Sequence, residues 1–533
     1  MHWDYLWWRD GIIYQIYPRS FYDTNGDGIG DLNGIRSKLD LLKELGISAI
    51  WLSPVYPSPD VDFGYDVADY TGIDPQYGSM ENFDRLVEEA HARDIRVVMD
   101  LVLNHTSDQH PWFLKSRQSR DNPFADWYLW RDPLPGGGKP NNWASMVGGS
   151  GWEYVPERGQ YYFHLFYKEQ PDLNWRNPDV KEALLNVFRF WLDRGVDGFR
   201  LDIFNCYFKD AGFRNNPPQL GIRRFDRQKH IYDIDQPEML PVLKEIREVL
   251  DAYPERYAVG ETFLGNDLSG VRYCGSDLLH GVFDFDFLEN RWSPAAFLKS
   301  IQKWENLGRE DIWPTYVLGN HDVPRIASRF GRSDEKLKLL AALQLTMRGT
   351  PFIYSGEMIG MQDIPIKRSQ ILDPVGKHYW PFFIGRDGCR SPIQWDESPQ
   401  AGFTSGNPWL PVHADYTSRN VKNQLKDENS LLNFYKRLIH LRREYPALQR
   451  GMFQALTLDP RSILAYLRQT EEQTILAAFN FSGRLLRLAL GARTGKGVWR
   501  LLLSNKRESA VLKDPLWISL QGCEAAIYIL EED

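Results

Sequence analysis

The chain has 533 residues, which is more than one hydrophobic core usually accommodates, and this predicts two or three domains, one of them large. Lys and Arg number 63 against 71 Asp and Glu, and the net charge of -8 without a long basic run argues against a nucleic-acid partner. Four scattered cysteines without CxxC spacing argue against a disulfide framework or a zinc site.

The expected cellular location and partners of the protein follow from features that its sequence lacks. No run of about 18 apolar residues occurs, so no membrane span is expected. The first ten residues contain no basic region followed by an apolar core, so they do not have the pattern of a signal peptide. We therefore expect a cytoplasmic protein, with neither nucleic acid nor membrane as a partner, that is a monomer or a weak homo-oligomer.

Apolar strand-like stretches alternate with helix-like periodic stretches along most of the chain. This alternation is typical of repeated βα units around a parallel sheet, and eight such strands close a (β/α)8 TIM barrel. The predicted strands cover residues 12–17, 47–52, 96–102, 195–203, 257–261, 282–287, 315–319 and 351–354. The predicted helices cover residues 35–45, 80–93, 180–193, 237–250 and 430–443.

Two regions depart from the barrel pattern. Residues 105–174 are rich in Pro, Gly, Trp and Tyr and lack a long helix, which predicts an inserted subdomain after the third strand. From about residue 453 the periodicity changes to short strands with turns, which predicts a C-terminal antiparallel β domain. The predicted domains are the barrel at 1–104 and 175–450, the inserted subdomain at 105–174 and a C-terminal β-sandwich at 451–533.

Polar residues end four of the predicted strands, at 100–105, 200–202, 261 and 320–322. Sites in such barrels form at the carboxyl ends of the strands, so these side chains should meet. We expect Arg200 to lower the pKa of Asp202 and keep it ionised, and partial desolvation to raise the pKa of Glu261. One anionic and one protonated carboxyl group is the requirement for cleaving a glycosidic bond.

The same residues carry a family resemblance. Residues 100–105 (DLVLNH), 198–202 (GFRLD), 259–262 (VGET) and 320–322 (NHD) resemble the four signature regions of the α-amylase family of glycoside hydrolases. Residues 170–174 (QPDLN) are similar to its oligo-1,6-glucosidase and α-glucosidase branch. The resemblance implies that Asp202 is the nucleophile, Glu261 the general acid and then base, and Asp322 the stabiliser of the transition state.

The resemblance also implies a set of sugar-binding residues. Tyr65 would be a stacking platform, Asp62 would bind hydroxyls of the terminal sugar, and Arg390 would pair with Asp62. This pairing closes the pocket and favours cleavage from the non-reducing end, although a surface ion pair is the alternative interpretation. The implied set is Asp62, Tyr65, His105, Gln170, Arg200, His321 and Arg390.

The implied activity is that of a retaining, exo-acting α-glucosidase on short oligosaccharides, working through a covalent glucosyl-enzyme. Ile203 is β-branched like the valine that accompanies α-1,6 cleavage at this position in the branch, whereas residues 205–210 and 215–218 are similar to α-1,4-active relatives, so the linkage stays open. A transglucosidase or sucrose isomerase would use the same carboxylates. A trehalose-6-phosphate hydrolase would need cations such as Arg223, Arg224 and Lys229, and a non-catalytic binding module is the remaining alternative.

The loop at residues 23–31 (DTNGDGIGD) begins like a calcium loop, with oxygen ligands at alternate positions. It is not an EF-hand, because Gly34 stands where that loop needs Glu. The branch carries a similar loop, which implies a structural Ca2+ or Mg2+ and no organic cofactor; a glycine-rich turn without metal is the alternative. The implied ligands are Asp23, Asn25, Asp27, the Ile29 carbonyl and Asp31.

Overall fold

Eight parallel strands form a closed barrel, which confirms the predicted TIM barrel. The structure is a computed structural model that describes residues 5–264, 269–309, 311–457, 460–490, 494 and 497–531. Each strand pairs with its predecessor in the chain, and the eighth returns to the first, where Phe352 lies opposite Ile13. The strands are Ile13–Ile16, Ala49–Leu52, Arg96–Leu101, Gly198–Leu201, Tyr257–Gly260, Gly281–Asp284, Thr315–Val317 and Thr350–Tyr354.

Helices surround the barrel and begin at the capping residues that the sequence supplies. Ser79 accepts a hydrogen bond from the Asn82 backbone N–H, and Asn177 does the same for Asp179 before a helix with proline at its first position. The longer helices are Met80–His91, Pro178–Asp193, Met239–Asp251, Pro294–Glu305, Asp334–Leu345 and Leu431–Glu444. The shorter ones are Trp7–Asp10, Leu32–Arg36, Leu39–Leu45, Pro111–Ser116, Phe285–Glu289, Ile326–Phe330, Pro374–Tyr379, Val421–Lys426 and Pro446–Arg450.

Two sequence-based predictions of elements were wrong in part. The helix expected at residues 35–45 is two helices, Leu32–Arg36 and Leu39–Leu45, and the first begins earlier than expected because Asp31 caps it by accepting the Gly34 N–H. The sixth strand was expected to reach residue 287 but ends at Asp284, whose carboxylate accepts the Phe287 N–H at 3.1 Å and starts a helix. In both cases a side-chain cap outweighed the local apolar pattern.

Residues 105–174 hold a three-stranded antiparallel sheet of Trp130–Arg131, Trp152–Val155 and Gln160–Phe163. The fully buried Lys209 Nζ ties this region to the barrel, at 2.5 Å from Asp172 Oδ2 and 2.8 Å from Asn104 Oδ1. A buried charge pair of this kind needs its hydrogen bonds satisfied, and the amide of Asn104 helps to satisfy them. The predicted insertion therefore lies directly above the third and fourth strand ends.

The C-terminal region is antiparallel, which confirms the expected β domain. It contacts the barrel through polar as well as apolar groups: Tyr466 Oη lies 2.6 Å from Thr346 Oγ1, and Trp292 Nε1 donates to the Phe481 carbonyl at 2.9 Å. Among the described residues no helix is long and apolar enough to cross a membrane. The strands are Met452–Ala455, Ile463–Gln469, Thr474–Asn480, Leu486–Ala489, Val498–Ser504, Val511–Lys513, Trp517–Leu520 and Ala525–Glu531.

Glu357, which follows the eighth strand, makes the stability of the barrel depend on pH. Burial raises the pKa of Glu357 from 4.5 to about 7, against the opposing hydrogen bond from Tyr435 Oη at 2.9 Å. A raised folded pKa means that stability is lost as pH rises from the unfolded value through about 7. We expect Glu357→Gln to match the wild type at acidic pH and to be more stable by about 3 kcal/mol at pH 8.

Thermal midpoints between about pH 4.5 and 8 measure this difference, and we expect Glu357→Gln to melt about 3 °C above the wild type at the alkaline end. The exposed Glu428→Gln is the matched control and should show no pH-dependent difference. A constant offset of Glu357→Gln across the pH range would contradict the prediction, because it would reflect packing rather than ionisation.

Candidate active site

Arg200 gathers three carboxylates at the carboxyl ends of neighbouring strands. Its Nη1 donates to Asp100 Oδ1 at 2.7 Å and to Asp202 Oδ1 at 2.6 Å, and its Nη2 donates to Glu261 Oε2. Backbone hydrogen bonds continue the barrel ladder through the site, from Asp202 N to the Leu101 carbonyl and from Glu261 N to the Leu201 carbonyl. The barrel itself thus sets the relative positions of Asp202 and Glu261.

One guanidinium cannot neutralise three buried carboxylates. Burial raises the pKa of Asp202 well above its usual value and raises that of Glu261, while Arg200 lowers both. Our expectation that Arg200 would give Asp202 a lowered pKa was therefore wrong, because burial outweighs the arginine. Asp322 adds to the rise in the pKa of Glu261, whereas the hydrogen bond between the two carboxyl groups raises the pKa of Asp202 and lowers that of Glu261, so the pair shares one proton.

Asp322 has the opposite electrostatic environment. Burial raises its pKa, but His321, Arg386 Nη1 at 3.3 Å from Oδ1 and Arg390 Nη2 at 2.9 Å from Oδ1 together outweigh burial and hold the pKa below its usual range. His321 Nε2 lies 3.3 Å from Oδ2, yet burial lowers the pKa of His321 to about 3, so it acts as a neutral hydrogen-bonding group near pH 7. Asp322 is accordingly an anion held by two arginines.

A chain of hydrogen bonds sets the tautomer of His321. The Gln15 amide Nε2 donates to His321 Nδ1 at 2.8 Å, so the ring proton is on Nε2, which lies 2.7 Å from Tyr65 Oη. Tyr65 Oη in turn donates to Asp100 Oδ2 at 3.1 Å. The parallel rings of Tyr65 and His321, with centroids 5.3 Å apart, form one rigid wall of the site.

Arg386, rather than the expected Arg390, pairs with Asp62. Arg386 Nη2 donates to Asp62 Oδ1 at 2.7 Å, and its Nε donates to the buried Asp373 Oδ2 at 2.9 Å. Arg390 contacts a different pair of residues. Its Nε donates to the His321 carbonyl at 2.8 Å, and its Nη2 donates to Asp322. The predicted pairing was therefore wrong by four residues: both arginines serve the site, but Arg386 is the one that bridges Asp62 and Asp322.

His105 is held by groups from both the barrel and the inserted region. Its Nε2 lies 3.1 Å from the Tyr65 carbonyl and 3.1 Å from Gln170 Nε2, and its Nδ1 lies 3.1 Å from Asn104 Nδ2. Gln170 also donates to Asp62 Oδ2 at 3.4 Å. Gln170 therefore supports two residues of the site from behind.

A cavity of about 260 Å3 opens between these residues. Its polar lining is Asp62, Tyr65, His105, Tyr167, Asp202, Glu261, His321, Asp322 and Arg386. Its apolar lining residues are Met146, Val147, Phe166, Ile203, Phe263, Val375 and Phe383. Three residues expected to bind sugar, Gln170, Arg200 and Arg390, lie behind the lining and orient the carboxylates and His105.

Tyr167 and Arg386 were missed by the sequence analysis. The Tyr167 hydroxyl is buried without a hydrogen-bond partner among the described residues, and its pKa is raised by burial and by nearby Asp62. A buried hydroxyl beside Asp62 and Arg386 is suited to a hydrogen bond with a ligand. Arg386 stands in the same GRDGCR stretch as Arg390, which is a signal that the sequence offered, whereas Tyr167 carried no signal beyond being aromatic.

The loop expected to hold a metal is closed by its own hydrogen bonds. Each carboxylate oxygen of Asp23 and of Asp31 already accepts two N–H or O–H groups. Asn25 Oδ1 and Asp27 Oδ1 each accept one N–H, so these exposed side chains have lone pairs to spare. No group of three His, Cys, Asp or Glu side chains in the described ranges is arranged to hold a metal. The exposed oxygens of Asn25 and Asp27 can bind a hard cation. Asp23 and Asp31 would first have to release hydrogen bonds that they accept in this structure.

The three basic residues that could bind the phosphate of a phosphorylated sugar, Arg223, Arg224 and Lys229, do not line the cavity. Arg223 pairs with Asp226 through contacts of 2.7 and 2.9 Å from Nη2 and Nε. Arg224 and Lys229 are also absent from the described lining. The geometry around these three residues offers no support for a phosphate site at the mouth of the cavity.

Comparisons with known families cover almost the whole chain. Residues 15–451 match the family described as the catalytic domain of alpha amylase, and residues 453–527 match the C-terminal domain of maltogenic amylase. The boundary between the two matches falls where the strand Met452–Ala455 opens the antiparallel domain.

Individual relatives are similar over most or all of their length. A probable alpha-glucosidase of Rhizobium meliloti (strain 1021) is 45% identical, with 89% of each chain covered. An oligo-1,6-glucosidase of Parageobacillus thermoglucosidasius is 40% identical, covering 98% of this chain and 99% of that one. Solved structures include the alpha-glucosyl transfer enzyme XgtA, at 40% identity, a TM-score of 0.93 and coverage of 99% and 100%. Trehalulose synthase MutB from Pseudomonas mesoacidophila MX-45 has 37% identity and a TM-score of 0.90 at the same coverage.

Proposed function

The chain belongs to the α-amylase family of glycoside hydrolases, and from that premise we propose that it is a retaining, exo-acting α-glucosidase that releases terminal glucose from short α-1,4- or α-1,6-linked oligosaccharides. The observation that carries the proposal is the pair Asp202 and Glu261 on one guanidinium, with ionised Asp322 beside Glu261. Relatives of this family named α-glucosidase and oligo-1,6-glucosidase support the substrate class.

Retaining cleavage requires that the proton shared by the pair lie on Glu261 and that Asp202 be ionised. Ionised Asp202 attacks the anomeric carbon while Glu261 gives its proton to the leaving oxygen, and a glucosyl ester of Asp202 forms. Glu261, now an anion, takes a proton from water, which attacks the same carbon and frees Asp202 with net retention. A retaining pair needs a separation of about 5 to 5.5 Å between its carboxyl groups. The anion of Asp322 stabilises the positive charge that develops on the sugar in both steps.

The bridge from Asp62 to Asp322 through Arg386 supports attack at a chain end. Arg386 is held by Asp373 and contacts both aspartates, so this side of the cavity is closed by an ion-pair network. Tyr167 and Asp62 face the same region and can meet the hydroxyls of a terminal glucose. A longer chain could not pass through, which favours an exo-acting enzyme.

The test is to incubate the protein with maltose, isomaltose, sucrose, trehalose and starch and to separate the products by chromatography. We expect glucose from maltose, isomaltose or both, with the α-anomer released first, and the ratio of the two rates reports the linkage preference. Rapid internal cleavage of starch with little disaccharide turnover would contradict the exo-acting proposal. Asp202→Asn is the control for contaminating activity.

We also propose that the loop at residues 23–31 takes a structural Ca2+ through Asp23, Asn25, Asp27, the Ile29 carbonyl and Asp31. The spare lone pairs of exposed Asn25 and Asp27 support it, as does the alternate spacing of the oxygen ligands. A Ca2+ concentration of about a hundred times its Kd should raise the thermal midpoint by about 3 °C relative to a chelated sample. Asp27→Ala should lose this shift, and an equal midpoint with Ca2+ and with chelator in the wild type would contradict the site.

The chemistry of the cysteines supports a cytoplasmic location for the protein. Cys206, Cys274 and Cys389 are buried and unpaired, and Cys523 is half-buried and unpaired. Burial raises the pKa of the first three thiols, which keeps them protonated and unreactive. Unpaired cysteines are typical of a reducing compartment.

A further inference from the structure

A second cavity, of about 450 Å3, opens at the amino end of the barrel. His280 in its lining directly precedes the sixth strand, and Trp313 and Arg348 lie two residues before the seventh and eighth strands. The reacting carboxylates stand at the opposite, carboxyl end of the strands. The volume falls within the about 300 to 1,000 Å3 that is usual for small-molecule sites. This cavity is therefore a candidate for a ligand other than the substrate.

The lining of this cavity is rich in positive charge, although the chain as a whole carries a net charge of -8. The single carboxylate in the lining is Asp311, which is already paired with Arg309 at 3.0 Å between Oδ1 and Nε. The lining contains four guanidinium groups, those of Arg9, Arg247, Arg348 and Arg450.

The carboxylates behind the lining are too few to neutralise these arginines. Arg9 Nη2 and Arg450 Nη2 both donate to Asp10 Oδ2 at 2.9 Å, so one positive charge is left over. Buried Arg442 adds another, since it donates to the carbonyls on both sides of Arg348 and forms no ion pair in the described part of the chain. Burial and a neighbouring arginine lower the pKa of Arg442 to about 9, which leaves it charged near pH 7.

Arg348 has donors that no protein group uses. Its Nε lies 3.4 Å from Glu305 Oε2, and Glu305 is shared with the buried Arg468, whose Nη1 lies 4.0 Å from Oε1. The terminal nitrogens Nη1 and Nη2 of Arg348 donate to no described residue. The guanidinium carbon lies 5.3 Å from the ring centroid of Trp313, which holds the group against an aromatic face. Both terminal nitrogens are thus available to an acceptor in the cavity.

His280 contributes a donor whose identity is fixed. The Ala258 N–H donates to His280 Nδ1 at 3.1 Å, so the neutral ring carries its proton on Nε2. Burial and Arg247 lower the pKa of His280 to about 3, which keeps the ring neutral near pH 7. His280 is only 9% exposed, yet its Nε2–H has no acceptor among the described residues, and the same holds for Arg247 Nη2. Buried polar groups normally have a partner, so these donors point to an acceptor on a ligand.

Two tryptophans add flat apolar surface to the same cavity. Trp8 and Trp313 both line it and are partly exposed. Trp8 is fixed by stacking on Tyr257, with centroids 5.4 Å apart, and by the edge of His280 at 4.9 Å. Trp313 Nε1 donates to the Arg9 carbonyl at 3.1 Å. Rings held in this way are suited to contact with the ring of a sugar or a base.

Unused N–H donors and surplus positive charge select an anion rich in acceptor oxygens, and guanidinium groups match phosphate in particular. We propose that the cavity at the amino end of the barrel binds a phosphate monoester that carries a ring, which is a sugar phosphate or a nucleotide. Its phosphate contacts Arg348, Arg247 and His280, and its ring contacts Trp8 or Trp313. The site is independent of the proposed α-glucosidase activity, because it uses none of the reacting carboxylates.

Titration calorimetry of the whole protein at low salt, with inorganic phosphate, ribose 5-phosphate, AMP and adenosine, tests the site. We expect at least one ester to bind about tenfold more tightly than inorganic phosphate, from the contact of its ring with tryptophan, and adenosine not to bind. The affinity should fall as salt screens the arginines. The tighter of the two esters identifies the ligand as a sugar phosphate or a nucleotide.

Variants assign the binding to this cavity. Ser276→Glu adds a carboxylate at an exposed position of the lining, where it should leave the fold intact and weaken the ester by about tenfold. Ser509→Glu, at an exposed serine of the C-terminal domain, adds the same charge and should leave the affinity unchanged. Arg348→Gln should abolish measurable binding, and its thermal midpoint reports whether the fold persists.

Three outcomes would overturn the proposal. No binding of either ester to the wild type, or an affinity that Ser276→Glu leaves unchanged, would show that the cavity is not the site. Equal affinities for inorganic phosphate and both esters would show that the tryptophans do not contact a ring. All of these measurements report binding rather than turnover, so their failure would leave the α-glucosidase proposal intact.

Discussion

Asp202→Asn is expected to lower kcat on maltose and on an aryl α-glucoside alike by about 10^4-fold, which is about 5 kcal/mol of transition-state stabilisation. An amide cannot form the glucosyl ester, although its oxygen can still accept the hydrogen bond that Arg200 Nη1 donates to Asp202 Oδ1. The substitution preserves the shape of the side chain, so the fold is expected to persist. Initial rates with both substrates measure the effect.

Glu261→Gln is the comparison that separates the two roles. It should slow maltose by about 10^2- to 10^4-fold but spare the glucosylation step of a nitrophenyl α-glucoside, whose leaving group needs no proton. With that substrate the glucosyl-enzyme should accumulate and appear in the intact mass of the protein. An equal loss of the glucosylation rate on both substrates in Glu261→Gln, or a covalent adduct in Asp202→Asn, would show that the roles are assigned wrongly.

Arg386→Ala is expected to lower kcat/KM on maltose by about 10^3-fold, because it leaves Asp62, Asp322 and buried Asp373 without their shared cation. Loss of this cation also frees the pKa of Asp322 to rise, so activity should fall further as the pH is lowered toward the usual carboxylate range. A pH profile of kcat/KM for the wild type and the variant measures both effects.

Two further substitutions make the result specific. Arg386→Lys keeps the charge but not the forked geometry, and it should recover part of the loss. Arg368→Ala removes an exposed arginine of the same segment and should leave kcat/KM unchanged. Wild-type activity in Arg386→Ala would show that the ion pairs joining Asp62 and Asp322 through Arg386 have no role in binding.

The barrel was predictable from the sequence because its signals are local. Short β-branched and apolar stretches separated by amphipathic helices specify βα units one at a time, and the closure of eight of them follows from repetition. Local signals failed where a single side chain competed with them, as Asp284 did by capping a helix inside an apparent strand. Such caps depend on the local backbone conformation. The alternating Phe and Asp residues at 283–287 gave no indication of it.

The reacting residues were predictable for a related reason. Asp202 and Glu261 directly follow the strands Gly198–Leu201 and Tyr257–Gly260, and Asp322 lies in the loop after the strand Thr315–Val317, so their convergence follows from the topology of the barrel. Their motifs belong to a family that the comparisons then showed.

The sequence by itself determined the barrel, its appended β domain, the family and the strand ends that carry the carboxylates, because each depends on residues that are neighbours in the chain. The tertiary structure alone decided that Arg386 rather than Arg390 reaches Asp62, that burial outweighs Arg200 at Asp202, and that residues distant in the chain line one cavity. Which arginine reaches Asp62, how far a carboxylate is desolvated and what shape a cavity has all depend on atoms that are distant in sequence. No local sequence pattern encodes them.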